Sequence, residues 1–209
     1  MTELLQAILL TLAALASAVW IGTARRGYEE PEQPALFCAL LAFSLAAGTG
    51  ACAVARLAFG HDTLEAERWL LQATLLLGLP LVGVAALTLS RRWRWNRPTW
   101  GRIVLGLCAF FELARQLGWS APYQLALGLI SALLVLYAGL LQWPARLQAS
   151  AGVIGGALLL VAQPWPGLSI GPNPLGAYQQ LWLALAGPVT AWLLLNLPGT
   201  PREARSAPA

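Results

Sequence analysis

The chain has 209 residues, of which 58% are hydrophobic and 11% charged, against about 25% charged in an ordinary soluble domain. Too few charges remain to cover a soluble surface of this size, and the apolar residues come in long runs, so lipid is the expected solvent. The net charge of +4 rests on thirteen arginines without a single lysine; they gather at the ends of apolar runs, which argues against a nucleic-acid partner.

A spanning helix needs about 20 apolar residues, and seven segments qualify. The first, 4–24, ends on Arg25-Arg26; its start, Met1-Thr2-Glu3, lacks the basic region of a cleavable signal peptide, so it reads as a retained helix. The second, 35–59, opens after Pro34 and carries the small residues Ala47, Gly48, Gly50 and Ala51. The third, 66–90, follows Asp62 and Glu65, a pair spaced like a capping box, and holds Pro80 in mid-span. Between Arg91 and Arg102 lie five arginines and three tryptophans. There Arg92, Arg94 and Arg97 are expected to hold anionic lipid headgroups, beyond a plain role as topology anchors.

The fourth segment, 101–119, begins after Pro98, and the fifth, 122–142, begins at Pro122. The sixth, 147–164, carries Gly152 and Gly156, a GxxxG pair that lets helices approach closely, either within the chain or across a homodimer. Prolines 164, 166, 172 and 174 mark an irregular stretch before the seventh, 177–197, which holds Pro188 and stops at Pro198-Gly199. The expectation is an all-α bundle of seven transmembrane helices in one domain, 1–199, with a short disordered cytoplasmic tail, 200–209.

Orientation follows from arginine placement. One side would carry Arg25, Arg26, Arg91, Arg92, Arg94, Arg97, Arg102, Arg146, Arg202 and Arg205; the other would carry Arg56 and Arg68, while Arg115 falls inside a span. By the positive-inside rule the N-terminus lies outside and the C-terminus in the cytoplasm. Tryptophans 20, 93, 95, 100 and 143 then fall at the inner boundary and 69, 119 and 165 at the outer one, the interfaces such rings prefer. Richness in Arg, Ala and Gly fits a GC-rich bacterial genome, hence a bacterial inner membrane. Pro80 in Leu-Gly-Leu-Pro and Pro188 in Leu-Ala-Gly-Pro hint at a duplication of three helices around a linking fourth, a 3+1+3 plan.

Chemistry has few places to live. Glu112 and Arg115 occupy the fourth span, with Glu112 about 14 Å deep counted from Ile103, where a charge is expensive unless paired or wetted. Gln116, Gln72, Gln163 and Gln124 fall in the same half of their helices. Together these residues outline a polar cavity open to the outer face, with Glu112, Arg115, Gln116, Gln72 and Gln163 as ligand-binding candidates and Glu112 and Arg115 as catalytic ones. A retinal Schiff base is excluded by the absence of lysine, and bis-histidine haem by the single histidine, His61. The zinc hydrolases of the alkaline ceramidase or adiponectin-receptor type need several His and an Asp, and Asp62 is the sole aspartate. Cys38, Cys52 and Cys108 are far apart and read as small buried hydrophobes. No metal or cofactor is expected.

The reading ranked first is a non-catalytic membrane component that binds a lipid, small ligand or protein partner through the outer cavity. The second is a metal-independent lipid enzyme with Glu112 as acid/base and Arg115 on an anionic headgroup. The third is a small 3+1+3 transporter.

Overall fold

Residues 2–163 and 178–197 are described by a computed structural model of the chain. The prolines of 164–174, Trp165, Pro198-Gly199, Arg202, Arg205 and the expected tail lie outside the described residues.

The described residues form seven helices and no strand. They are α1 (Thr2–Ala24), α2 (Gln33–Phe59), α3 (Leu64–Ser90), α4 (Arg97–Gln116), α5 (Ser120–Leu140), α6 (Arg146–Val161) and α7 (Gln179–Asn196). Four helices, α1, α2, α3 and α5, are long and apolar enough to cross a membrane; α6 is apolar but has only 16 residues.

Local sequence explains the breaks. Gly60 closes α2 in a left-handed conformation (φ 69°), which a residue without Cβ adopts at no steric cost. Asn96 stays extended, and Pro98 sits in the first turn of α4, where a missing N–H is harmless. The expected capping box ahead of α3 does not form. Thr63 takes the cap position, and its hydroxyl crosses to the Cys52 carbonyl (2.8 Å). Pro80 perturbs α3 as expected, but the chain absorbs the perturbation one turn earlier, in a π-helical turn at Thr74–Gly78. There the Thr74 hydroxyl donates to the Leu70 carbonyl (2.8 Å) and meets the Thr49 hydroxyl of α2 at 3.2 Å.

Packing makes a closed ring in the order α1, α2, α3, α5, α6, α7 and back to α1, with α4 outside it. The equivalences are exact in order: α1 and α5, α2 and α6, α3 and α7 each have corresponding neighbours. Small residues set the closest approaches. A Cβ on Gly50 of α2 would lie 2.9 Å from the Thr11 nitrogen of α1. In α6, Gly152 lies against the backbone of Gly139, and a Cβ on Gly156 would lie 3.0 Å from the Ala132 carbonyl oxygen, both in α5. The GxxxG seam is therefore filled from within the chain, and a homodimer through Gly152/Gly156 would compete with α5 for this face. Helix α4 buries only Trp100 and Ala114.

Side-chain contacts establish which helix ends meet. At one end, Arg94 pairs with Glu29 (3.8 Å), Arg97 pairs with Glu30 (3.4 Å), and the Gln148 amide donates to the Asn196 carbonyl (3.3 Å). Arg91 also reaches the Tyr137 hydroxyl there. The opposite end holds the Arg56–Glu67 pair (2.8 Å) and the bond from the Gln179 amide to the Ala162 carbonyl (3.1 Å).

Tyr28 ties the basic end together. Its buried hydroxyl donates to the Leu195 carbonyl (2.7 Å), linking the α1–α2 connection to the end of α7. Burial first, then the nearby Glu32 carboxylate, push its phenol above the usual range. A phenol that prefers to stay protonated when folded contributes stability that is present below its ordinary pKa of about 10 and fades as pH rises above it. Tyr28→Phe is expected to cost about 1–2 kcal/mol near neutral pH and to flatten the alkaline loss of stability. Thermal melts from pH 8 to 11 in detergent check both; a slope unchanged by the substitution rules out Tyr28 as its source.

Candidate functional site

The polar groups expected to converge on an outer cavity take up three different settings. Glu112, Arg115 and Gln116 do come together, through the i, i+3 and i, i+4 spacing of one helix face. The Arg115 guanidinium donates to both carboxylate oxygens of Glu112 (2.9 and 2.7 Å), and the Gln116 amide adds a third bond (3.1 Å). The cluster lies on the exposed side of α4, with the two charged side chains 45% and 56% exposed. It also lies nearer a helix end than the sequence count placed it. Because α4 ends at Gln116, Glu112 is about 6 Å from that terminus.

Gln163 is elsewhere and buried. Its side chain occupies the notch left by Gly128 of α5, where any Cβ would collide with it. Its amide nitrogen donates to the Leu159 carbonyl (3.1 Å), while its Oε1 finds no hydrogen-bond donor among the described residues. Gln72 is exposed on α3, just before the π-helical turn against which α4 packs, and Gln124 is half-buried on α5. Chemically, the Glu112 cluster is a neutralised ion pair. An acid/base role for Glu112 requires Arg115 and Gln116 to release its oxygens first.

A second feature lies on the ring axis. Gly78 and Leu79, beside the α3 break, and Gly187, beside Pro188 of α7, line a central cavity of about 40 Å³ together with Thr74 and Thr190. That is space for little more than a water molecule. The Thr190 hydroxyl turns back to the Ala186 carbonyl (2.8 Å), serving the helix near its proline.

The basic end holds the remaining candidates. Arg92 adopts a left-handed backbone (φ 55°), unusual for a residue with a Cβ, and lines a cleft of about 180 Å³ with Glu29, Glu32 and Arg94. Arg94 and Arg97 line a second, larger cleft of about 500 Å³ with Glu30 and Asn96. Both arginines are more than 70% exposed, so their ion pairs are weak and yield readily to another anion. Sequence reasoning missed Glu29 and Glu30 here. The available signal was the acidic triplet Glu29, Glu30 and Glu32 in the α1–α2 connection, which helix parity brings beside the arginine-rich α3–α4 connection. Among the described residues, no three His, Cys, Asp or Glu side chains cluster as metal ligands would.

Compared with family profiles, curated proteins and solved structures, the chain matches none.

Proposed function

We propose that the protein is a non-catalytic component of a bacterial inner membrane that crosses the bilayer seven times, N-terminus outside and C-terminus in the cytoplasm. It binds a lipid, a small ligand or a protein partner through polar groups at its outer end. The observation that carries this reading is the placement of α4. The six ring helices satisfy one another, whereas α4 lies outside the ring and turns Glu112, Arg115 and Gln116 away from it. Charged groups on a membrane helix are expensive to keep unless they are used or covered.

Four variants test this: wild type, Glu112→Gln, Arg115→Gln and the double substitution. If the cluster is a binding site, each single change removes the retained lipid or partner while the thermal midpoint stays within a few degrees, and the double substitution restores nothing. If the pair only supports the fold, each single change lowers the midpoint and the double recovers it, because no charge is then stranded. Recovery of both midpoint and retention in the double variant ends the binding reading.

One observation favours the transporter as a second reading. Helix α3, with its π-helical turn ahead of Pro80, and α7, a continuous helix with Pro188 inside it, hold equivalent places in the ring, and both line one central cavity. Paired interruptions in corresponding segments are the usual sequence-level pointer to a transport site.

A further inference from the structure

Helix α4 packs only lightly on α2, and at the basic end the two helices flank a cleft of about 660 Å³. Its walls are apolar along most of their length: Phe37 and Leu41 of α2 face Trp100, Val104 and Leu105 of α4. Its mouth is cationic. Arg25 and Arg97 both line it, and the Arg25 guanidinium lies over the Phe37 ring, 5.0 Å from the centroid. The floor at Gly101 is open, since a Cβ there would meet nothing within 4 Å.

This cleft also continues into the polar one described above. Pro34 and Arg97 line both, so a vestibule of about 500 Å³ carrying Arg94 and Asn96 opens onto the apolar slot. A ligand that fits must therefore have an anionic head and a hydrocarbon body joined at the level of Arg97. An anionic peptide would leave the slot unfilled, and a free sterol or hydrocarbon would leave the arginines unused.

We infer that the α2–α4 cleft binds an anionic phospholipid. One acyl chain lies in the slot between Phe37 and Val104, and the phosphate sits at the mouth against Arg25 and Arg97. Arg97 exchanges its exposed partner Glu30 for the phosphate, a trade favoured because a phosphate accepts from a guanidinium in bidentate fashion. Arg25 keeps its place over Phe37 and presents its donors to the same group. Trp100, 4% exposed, supplies the rigid wall at headgroup depth where indoles prefer to lie. The inference rests on the membrane reading above, though it does not need the outer cluster.

The test uses the full chain. Carbonate washing of membranes comes first; release of the chain into the wash would overturn the membrane reading and this inference with it. Protein retained in membranes is then purified in detergent and titrated with phosphatidylglycerol or phosphatidylcholine, and bound lipid is counted by native mass spectrometry. The wild type is expected to hold one phosphatidylglycerol in preference to phosphatidylcholine. Arg25→Gln and Arg97→Gln should each weaken it about fivefold, and glycerol phosphate in solution should not compete. Gly101→Leu, which fills the slot while leaving both arginines in the chain, should lose the lipid, whereas Gly106→Leu, on the same helix where a Cβ also meets nothing within 4 Å, should keep it. The inference is overturned if Gly101→Leu and both arginine variants bind phosphatidylglycerol as the wild type does. Equal binding of phosphatidylcholine, or displacement by glycerol phosphate alone, overturns it as well.

Discussion

Gly152→Ala is expected to unseat α6 from α5 and to cost at least about 3 kcal/mol, the upper end for ordinary overpacking. The added methyl group would run into the Cα of Gly139 and lie 3.0 Å from its nitrogen. These are backbone atoms, so no rotamer change relieves the collision. The reciprocal change, Gly139→Ala, meets the Gly152 Cα at 2.5 Å and should cost a similar amount. Since one helix separation relieves both, the double substitution should cost less than the sum. Gly48→Ala is the control: its Cβ would meet only the flexible end of Leu70 at 3.4 Å. There a gain in helix propensity of up to about 1 kcal/mol makes the change neutral or mildly stabilising. Thermal midpoints in detergent decide the matter. A Gly152→Ala midpoint equal to that of the wild type means α5 and α6 do not approach this closely.

Reporter fusions should give an all-or-none result. Arg25, Arg26, Arg91, Arg92, Arg94, Arg97, Arg102 and Arg146 gather at one end of the bundle, against Arg56, Arg68 and Arg115 at the other. The carboxylates Glu29, Glu30 and Glu32 share the basic end, yet acidic residues weigh little in setting orientation. A cytoplasmic reporter joined after Ala209 should be active and a periplasmic one silent. The same pair inserted at His61, in the α2–α3 turn, should report the reverse. Activity of a periplasmic reporter at Ala209 inverts the sidedness, and identical results at both sites break the alternation.

How far the sequence alone reached depends on the range of the interactions involved. Helix existence and approximate ends were readable, because apolar run length, Pro34 and Pro98 act within a few residues. The pairing of Gly152 and Gly156 with a close neighbour was readable as well, though not which neighbour. Three features were hidden. The capping pattern at Asp62 and Glu65 lost to Thr63, whose better acceptor, the Cys52 carbonyl, belongs to another helix. Glu112 was expected near mid-depth, but α4 runs from Arg97 to Gln116, which places it close to one end. Gln163 was grouped with Glu112, whereas it is committed to Gly128 in the α5–α6 contact. The α2–α4 cleft was invisible for a related reason: it lies where α4 packs only lightly on α2, and a run of residues does not announce the contact it will not make.

The position of α4 has a consequence for how such a chain could have arisen. A segment of three helices starts at one face of its bundle and finishes at the other. Two copies joined directly would run in opposite senses. One extra pass returns the chain to its starting face, so the second triplet repeats the direction of the first. The ring needs that pass only as a return wire. Two separate three-helix polypeptides could close the same six-membered circle as a parallel pair, because α4 makes none of the contacts that join one ring helix to the next.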